Sequence, residues 1–175
     1  MGKSSILRSI LGFVCPRKGR ILIDGTELNR HTVWGLRRRI GHVPQEVDLG
    51  EGLVRDAVER PFTFHANADL RDSLRRLPAM LERFNLPPAT LQKETSALSG
   101  GEKQRIALIV TLLLDRPILL LDEVSSALDE QSVRTVAGLL AESAQTVLLV
   151  THDPRLVAAC DRTVHVPRRK EPVTT

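Results

Sequence analysis

Residues 98 to 105 read Leu-Ser-Gly-Gly-Glu-Lys-Gln-Arg, LSGGEKQR, and the apolar stretch IALIVTLLL carries on from there to Leu114. Residues 102–114 predict a helix, stopped by Arg116-Pro117. Ser99, Gly100 and Gly101 therefore stand at a helix N-terminus, where unpaired backbone N–H groups and the helix dipole favour an anion. The two glycines let a phosphate approach the main chain, and the Ser99 hydroxyl adds a donor. The same residues also serve as a plain helix cap after a flexible turn. Alone, they do not choose between these roles.

Working outward, Ile118-Leu119-Leu120-Leu121 is a continuous apolar run, the pattern of a parallel strand covered on both faces. A helix is expected over residues 130–143, with Val133, Val136, Leu139 and Leu140 inward. TVLLV, residues 146–150, predicts a second buried strand. Asp153-Pro154 opens a further helix as N-cap and first-turn proline, and residues 163–166 predict a last short strand. Upstream, residues 4–12 predict a short amphipathic helix ended by Pro16. Residues 21–23 predict a strand running into an Asp24-Gly25 turn, and residues 40–43 another strand left through Pro44-Gln45. From residue 61 to about 93 the periodicity is helical, with Leu70, Leu74, Leu77, Leu81 and Phe84, broken by Pro78 and Pro87-Pro88. Alternating strands and helices imply an α/β domain with a mostly parallel sheet and an inserted helical layer.

In such sheets ligands bind beyond the carboxyl ends of the strands. There ILLL delivers Asp122-Glu123, and TVLLV delivers Thr151-His152-Asp153. Adjacent residues leaving a strand point different ways, so one carboxylate can hold Mg²⁺ while the other polarises an attacking water. Acidic residues that merely end a strand, and a hydrogen-bonded structural histidine, fit the same positions. The chain opens MGKSS, and Gly2-Lys3-Ser4 has the form of the end of a phosphate loop: glycine, a lysine for phosphates, a hydroxyl for Mg²⁺.

Composition narrows the classes. A chain of 175 residues suits one domain with a sizeable core, and an apolar fraction of 42% argues against disorder. Aromatics are 3% with no tyrosine, which disfavours base-stacking platforms, and no nucleic-acid partner is expected. The net charge of +4 is spread over segments such as Leu36-Arg37-Arg38-Arg39 and Arg168-Arg169-Lys170, the pattern of a solvated face. Cys15 and Cys160 lie far apart and outside any ligand spacing, as in a reduced compartment. No apolar run reaches the ~20 residues of a membrane span, and Lys3 and Arg8 break up any signal-like stretch. An intracellular chain is expected.

LSGGEKQR resembles the signature motif of ATP-binding cassette proteins, and the other motifs of that family stand in order around it. Gly2-Lys3-Ser4 is similar to the end of its Walker A loop, Gln45 in HVPQE to its Q-loop, and ILLLDE to Walker B. SALD, ending in Asp129, is similar to its D-loop, and His152 to its switch histidine. The resemblance implies a P-loop NTPase (RecA-like) fold with a nucleotide-binding core in residues 1–60 and 117–175. Residues 61–116 would form the helical subdomain ending in the signature helix.

It also implies roles. Gly2, Lys3, Ser4 and Ser5 would bind the nucleotide, and Ser4, Gln45 and Asp122 would serve Mg²⁺. Glu123, His152 and Gln45 would be catalytic. Ser99, Gly100 and Gly101 would bind the γ-phosphate of the ATP held by the other protomer in a head-to-tail homodimer. Asp129 would also serve nucleotide binding, in a position that equally suits the N-cap of the helix that follows. The implied activity is ATP hydrolysis coupled to transport through a membrane permease, at the inner face of the plasma membrane. A finer similarity, carried by LERFNLPPATLQKETSALSGGEKQRIAL, points to bacterial iron-export transporters.

The sequence departs from the family at its start. The first strands and the glycine-rich first half of the phosphate loop are absent, by a misplaced start or a true truncation, so poor ATP binding and poor independent folding are expected. Two other readings are a non-hydrolysing remnant and a soluble chromosome-maintenance ATPase. The second requires a long coiled coil, and residues 45–98 leave no room for one.

Overall fold

A computed structural model describes residues 2–166 of the chain. The basic stretch Arg168-Arg169-Lys170 and the expected loose tail lie outside the described residues. The order of elements is α1 (Lys3–Ile10), β1 (Leu22–Ile23), β2 (Thr26–Glu27), α2 (Val33–Arg37), β3 (Ile40–Val43) and α3 (Val54–Thr63). There follow a 3₁₀ segment (His65–Arg76), α4 (Leu77–Arg83), α5 (Gly100–Leu113), β4 (Ile118–Asp122), α6 (Glu130–Glu142), β5 (Thr146–Val150) and α7 (Pro154–Ala158).

β3, β4 and β5 form a parallel sheet in that order, with Val43 opposite Leu121 and Asp122 opposite Val150. β1 and β2 make a separate antiparallel hairpin. Side chains alternate across β4. Leu120 packs with Leu7, Leu11, Ile23, Leu36, Ile40 and Val150 on the α1 face. Leu121 points the other way, into a larger core with Val43, Phe62, Phe84, Ile106, Ile109, Val133 and Val136. The continuous apolar run of β4 is thus explained by burial on both faces. Leu77, Leu81 and Phe84 join that core, and Leu70 and Leu74 pack against it.

Several expectations are corrected. TVLLV is a strand but not a buried one: among the described residues β5 pairs with β4 alone, only Val150 of the strand is buried, and Leu148 is 39% exposed. Residues 163–166 form no strand and are exposed, with no strand alongside them among the described residues. α1 is ended by Gly12 rather than Pro16. Gly12 adopts φ 72, and Phe13 N–H reaches Arg8 C=O at 2.9 Å while Gly12 N–H reaches Ser9 C=O at 2.9 Å, a Schellman turn. The helical layer starts earlier than Pro61. α3 begins at Val54 and carries Pro61 in its last turn, where the missing N–H removes one bond only.

Candidate functional site

The carboxyl ends of β4 and β5 and the first turn of α1 meet at one place. Asp122, the last residue of β4, is 8% exposed and accepts a hydrogen bond from Ser4 Oγ at 3.2 Å. Glu123 turns the chain off the strand with φ 50, an uncommon value for a residue with a side chain. Its N–H donates to Val150 C=O at 2.8 Å, so the edge of β5 fixes that turn. Non-glycine backbone held in this region costs free energy and clusters at functional sites.

The turn aims the Glu123 carboxylate at two partners. Its Oε1 lies 3.8 Å from Lys3 Nζ and 3.3 Å from His152 Nε2. Lys3 Nζ donates to His152 Nε2 at 2.7 Å. Lys3, Ser4, Asp122, Glu123 and His152 are thereby brought together from positions up to |i−j| = 149 apart. An ion pair this long and only partly buried adds little stability; its importance lies in where it places charge.

The other expected site residues lie elsewhere. Gly2 caps α1 with φ 128, and its C=O accepts from Ile6 N–H at 3.1 Å. Ser5 is exposed. Gln45 is exposed in the bend after β3. The neighbouring Pro44 C=O accepts from Gln104 Nε2 at 3.5 Å, although Gln104 is 2% exposed on α5.

Ser99 is the N-cap of α5 in a capping box. Its Oγ accepts from Glu102 N–H at 3.2 Å, and its own N–H donates to Glu102 Oε2 at 2.9 Å. That backbone bond, with Lys93 Nζ at 3.0 Å from Oε1, holds the Glu102 carboxyl below its ordinary range. A Cβ on Gly101 would sit 2.6 Å from Ala127 C=O, so glycine is what lets this turn touch the 124–129 turn. Asp129 ends that turn as the N-cap of α6. Its Oδ1 accepts from Ser132 N–H at 2.7 Å, which lowers its pKa, and its Oδ2 lies 3.4 Å from Arg105 Nη1.

Ser99–Gly101 and Asp129 therefore form a second locus, and among the described residues no hydrogen bond or ion pair joins it to Lys3 or His152. Sequence reasoning passed over Gln104 and Arg105 as contributors, although both belong to the stretch LSGGEKQR. The signal for Gln104 was an amide within a helix whose neighbours are apolar.

Chemically, the Lys3 ammonium suits a phosphate. Ser4 Oγ and an Asp122 oxygen, 3.2 Å apart, form a hard-oxygen pair that fits Mg²⁺, which takes one or two protein ligands and the rest from phosphate and water. Among the described residues no three His, Cys, Asp or Glu side chains group to hold a metal, so the fit is to such a shared ion. No helix of the described residues is long and apolar enough to cross a membrane.

The family model for "ABC transporter" matches residues 1–126. The chain is 36% identical over 169 residues to the energy-coupling factor transporter ATP-binding protein EcfA1 of Lactiplantibacillus plantarum, covering 92% of this chain and 59% of that protein. It is 34% identical over 176 residues to the mitochondrial iron-sulfur clusters transporter ATM1 of Kluyveromyces lactis, covering 93% of this chain and 24% of that protein. The chain thus spans less than two thirds of either relative. Among solved structures, it superposes on a bacterial Atm1-family ABC exporter with ATP bound at TM-score 0.74 and 31% identity, covering 90% of this chain and 29% of that one. It also superposes on a dimeric ATP-binding cassette in a post-hydrolysis state with ADP and Pi, at TM-score 0.73 and 28% identity, covering 90% and 73%.

Proposed function

Because this chain belongs to the ABC transporter family, we propose that it is the ATP-binding and hydrolysing subunit of a transporter, coupling ATP-driven dimerisation to movement of cargo by a membrane permease. The observation that carries this reading is the convergence of Lys3, Ser4, Asp122, Glu123 and His152 at the carboxyl edge of the sheet. An ammonium, an oxygen pair and a carboxylate beside an imidazole form the set that transfer of a phosphoryl group to water requires.

The mechanism follows from which contacts must be exchanged. Lys3 Nζ leaves His152 and Glu123 for the β/γ-phosphate oxygens. Ser4 and Asp122 would hold Mg²⁺, joined by Gln45 if the bend after β3 moves toward them, and the ion would neutralise phosphate charge. Freed of the lysine, the Glu123 carboxylate orients a water and takes its proton as the γ-phosphoryl group passes to the water oxygen and ADP leaves. His152, also freed, holds the γ-phosphate and the attacking water.

Ser99, Gly100 and Gly101, with Asp129, face the ATP of a second copy in a two-fold pair. Gln45, exposed beside the helical layer, would meet the permease, and the protein would then lie at the inner face of the plasma membrane. The parallel-sheet core and the helical layer, which runs from α3 to α5, divide these tasks. The resemblance to iron-export subunits, with the likeness to ATM1, supports metal or iron export as the cargo class.

Steady-state phosphate release from Mg-ATP tests the reading, with Glu123→Gln as the comparison. Loss of a positioned general base lowers kcat by about 10²–10⁴-fold while ATP binding persists. Turnover unchanged in Glu123→Gln, or absent from the natural protein, refutes it.

A further inference from the structure

We propose that a cavity at the amino edge of the parallel sheet is a second binding site, taking a small multivalent oxyanion of the phosphorylated or polycarboxylate class. It lies apart from the catalytic group and does not depend on the ATPase reading.

The cavity has a volume of about 400 Å³, and Trp34, Arg37, Arg38, Asn67 and Arg116 stand in its wall. Ile40, which also lines it, opens β3, and Arg116 stands just ahead of β4. Asp122 and Glu123 stand at the other end of β4. The length of that strand, roughly 13 Å at about 3.3 Å per residue, separates the two places.

Arg37 and Arg38 read in sequence as solvated charge, but the fold gathers them with Arg116 around one concavity. Two of the three guanidinium groups are held by neutral partners. Arg116 Nη2 donates to Asn67 Oδ1, and the Asn67 amide is itself anchored on Pro61 C=O at 2.7 Å. Arg37 Nε donates to Leu11 C=O at 2.7 Å, and its guanidinium lies 4.4 Å from the Phe13 ring and 5.0 Å from the Trp34 ring. Carbonyls, an amide and ring faces fix orientation without cancelling charge. Among the described residues no carboxylate forms an ion pair with Arg37, Arg38 or Arg116, whereas the neighbouring Arg39 is paired with Asp24.

Burial, and then the like charge of Arg38, pushes the Arg116 guanidinium below its ordinary value, although it stays charged. Crowding like charges in a concavity costs free energy that only an anion offsets. Each guanidinium presents a planar fork of donors that matches phosphate and carboxylate oxygens. Three such charges around one cavity favour a ligand with more than one negative charge. Trp34, 70% exposed, adds a flat apolar wall at the lip.

Trp34 is the single tryptophan of a chain without tyrosine, so tryptophan emission reports on this cavity. The test is titration of the full chain with inorganic pyrophosphate and, separately, with citrate, against sodium chloride of matched ionic strength. A saturable change in emission is expected, with half-saturation below about 1 mM at low salt. A response to pyrophosphate alone assigns phosphorylated ligands, one to citrate alone assigns polycarboxylates, and one to both assigns their shared chemistry. Arg38→Gln and Arg116→Gln should each weaken the response about tenfold or more. Arg55→Gln, exposed on α3 and outside the cavity, should leave it as it is. Melting temperature is recorded with and without pyrophosphate, and the anion should raise it in the natural chain and less in the Arg38 and Arg116 variants. No saturable change with either anion, an equal change with sodium chloride, or a response that survives both arginine substitutions overturns the inference. A response lost in Lys3→Ala overturns it as well, by placing the anion at the catalytic group. Turnover in Glu123→Gln bears on the ATPase reading alone.

Discussion

Gly100 and Gly101 are adjacent in sequence and occupy the same first turn of α5, yet replacing each by alanine should have opposite effects. In the helix each alanine gains up to about 1 kcal/mol over glycine. At position 100 the new Cβ meets only Ala127 Cβ, at 4.0 Å, an ordinary contact. Gly100→Ala is therefore neutral or slightly stabilising. At position 101 the new Cβ meets Ala127 C=O at 2.6 Å, and a backbone oxygen cannot rotate aside. Overpacking of this kind costs about 1–3 kcal/mol.

Because the propensity gain is common to both variants, the difference between them isolates the clash, about 1–3 kcal/mol. For a chain of this size each kcal/mol moves the melting temperature by about 2–4 °C. Gly101→Ala should then melt about 2–12 °C below Gly100→Ala. Circular dichroism melts of the two variants at one protein concentration provide the comparison. Equal melting temperatures, or a higher one for Gly101→Ala, would refute the close approach of the 99–101 and 124–129 turns.

Phe84, 1% exposed in the larger core, should cost about 3–5 kcal/mol when truncated to alanine, whereas Phe64, 58% exposed, should change stability by no more than about 0.5 kcal/mol; urea denaturation of both separates them. The capping box gives a pH signature. The pKa of Glu102 is depressed in the fold, first by the Ser99 N–H and then by Lys93, so its contribution is fully present above the ordinary value of 4.5 and is lost as pH falls through the folded value. The stability gap between the natural protein and Glu102→Gln should narrow below pH 4.5, and a gap that holds constant into acid would contradict it.

Local chemistry made much of this legible. The uninterrupted apolar run at 118–121 announces a strand covered on both sides, and the serine and glycines at 99–101 announce a helix start. Both depend on near neighbours in sequence. β5 has the same apolar look as β4, but its burial depends on how many strands lie beside it, which composition cannot report. Pro61 reads as a boundary because proline breaks most helices; in the last turn of α3 it removes a single bond. The meeting of Lys3 with His152 was inferred from motif order alone, since no local rule links such distant positions. The grip of Arg105 on Asp129 was missed because an arginine near the start of a helix looks like any solvated charge.

The exposed side of β5 has a consequence for handling the molecule. Thr146–Val150 carries no charge and no proline, and among the described residues β4 is its sole neighbour. Its outer backbone groups and the partly exposed Leu148 present a seam on which a further strand can be laid, the hallmark of edges that drive sticking between chains. A net charge of +4, dispersed over the surface, does little to guard five consecutive uncharged positions. Light scattering followed across salt concentrations checks this, the expected result being an onset that salt alters only weakly.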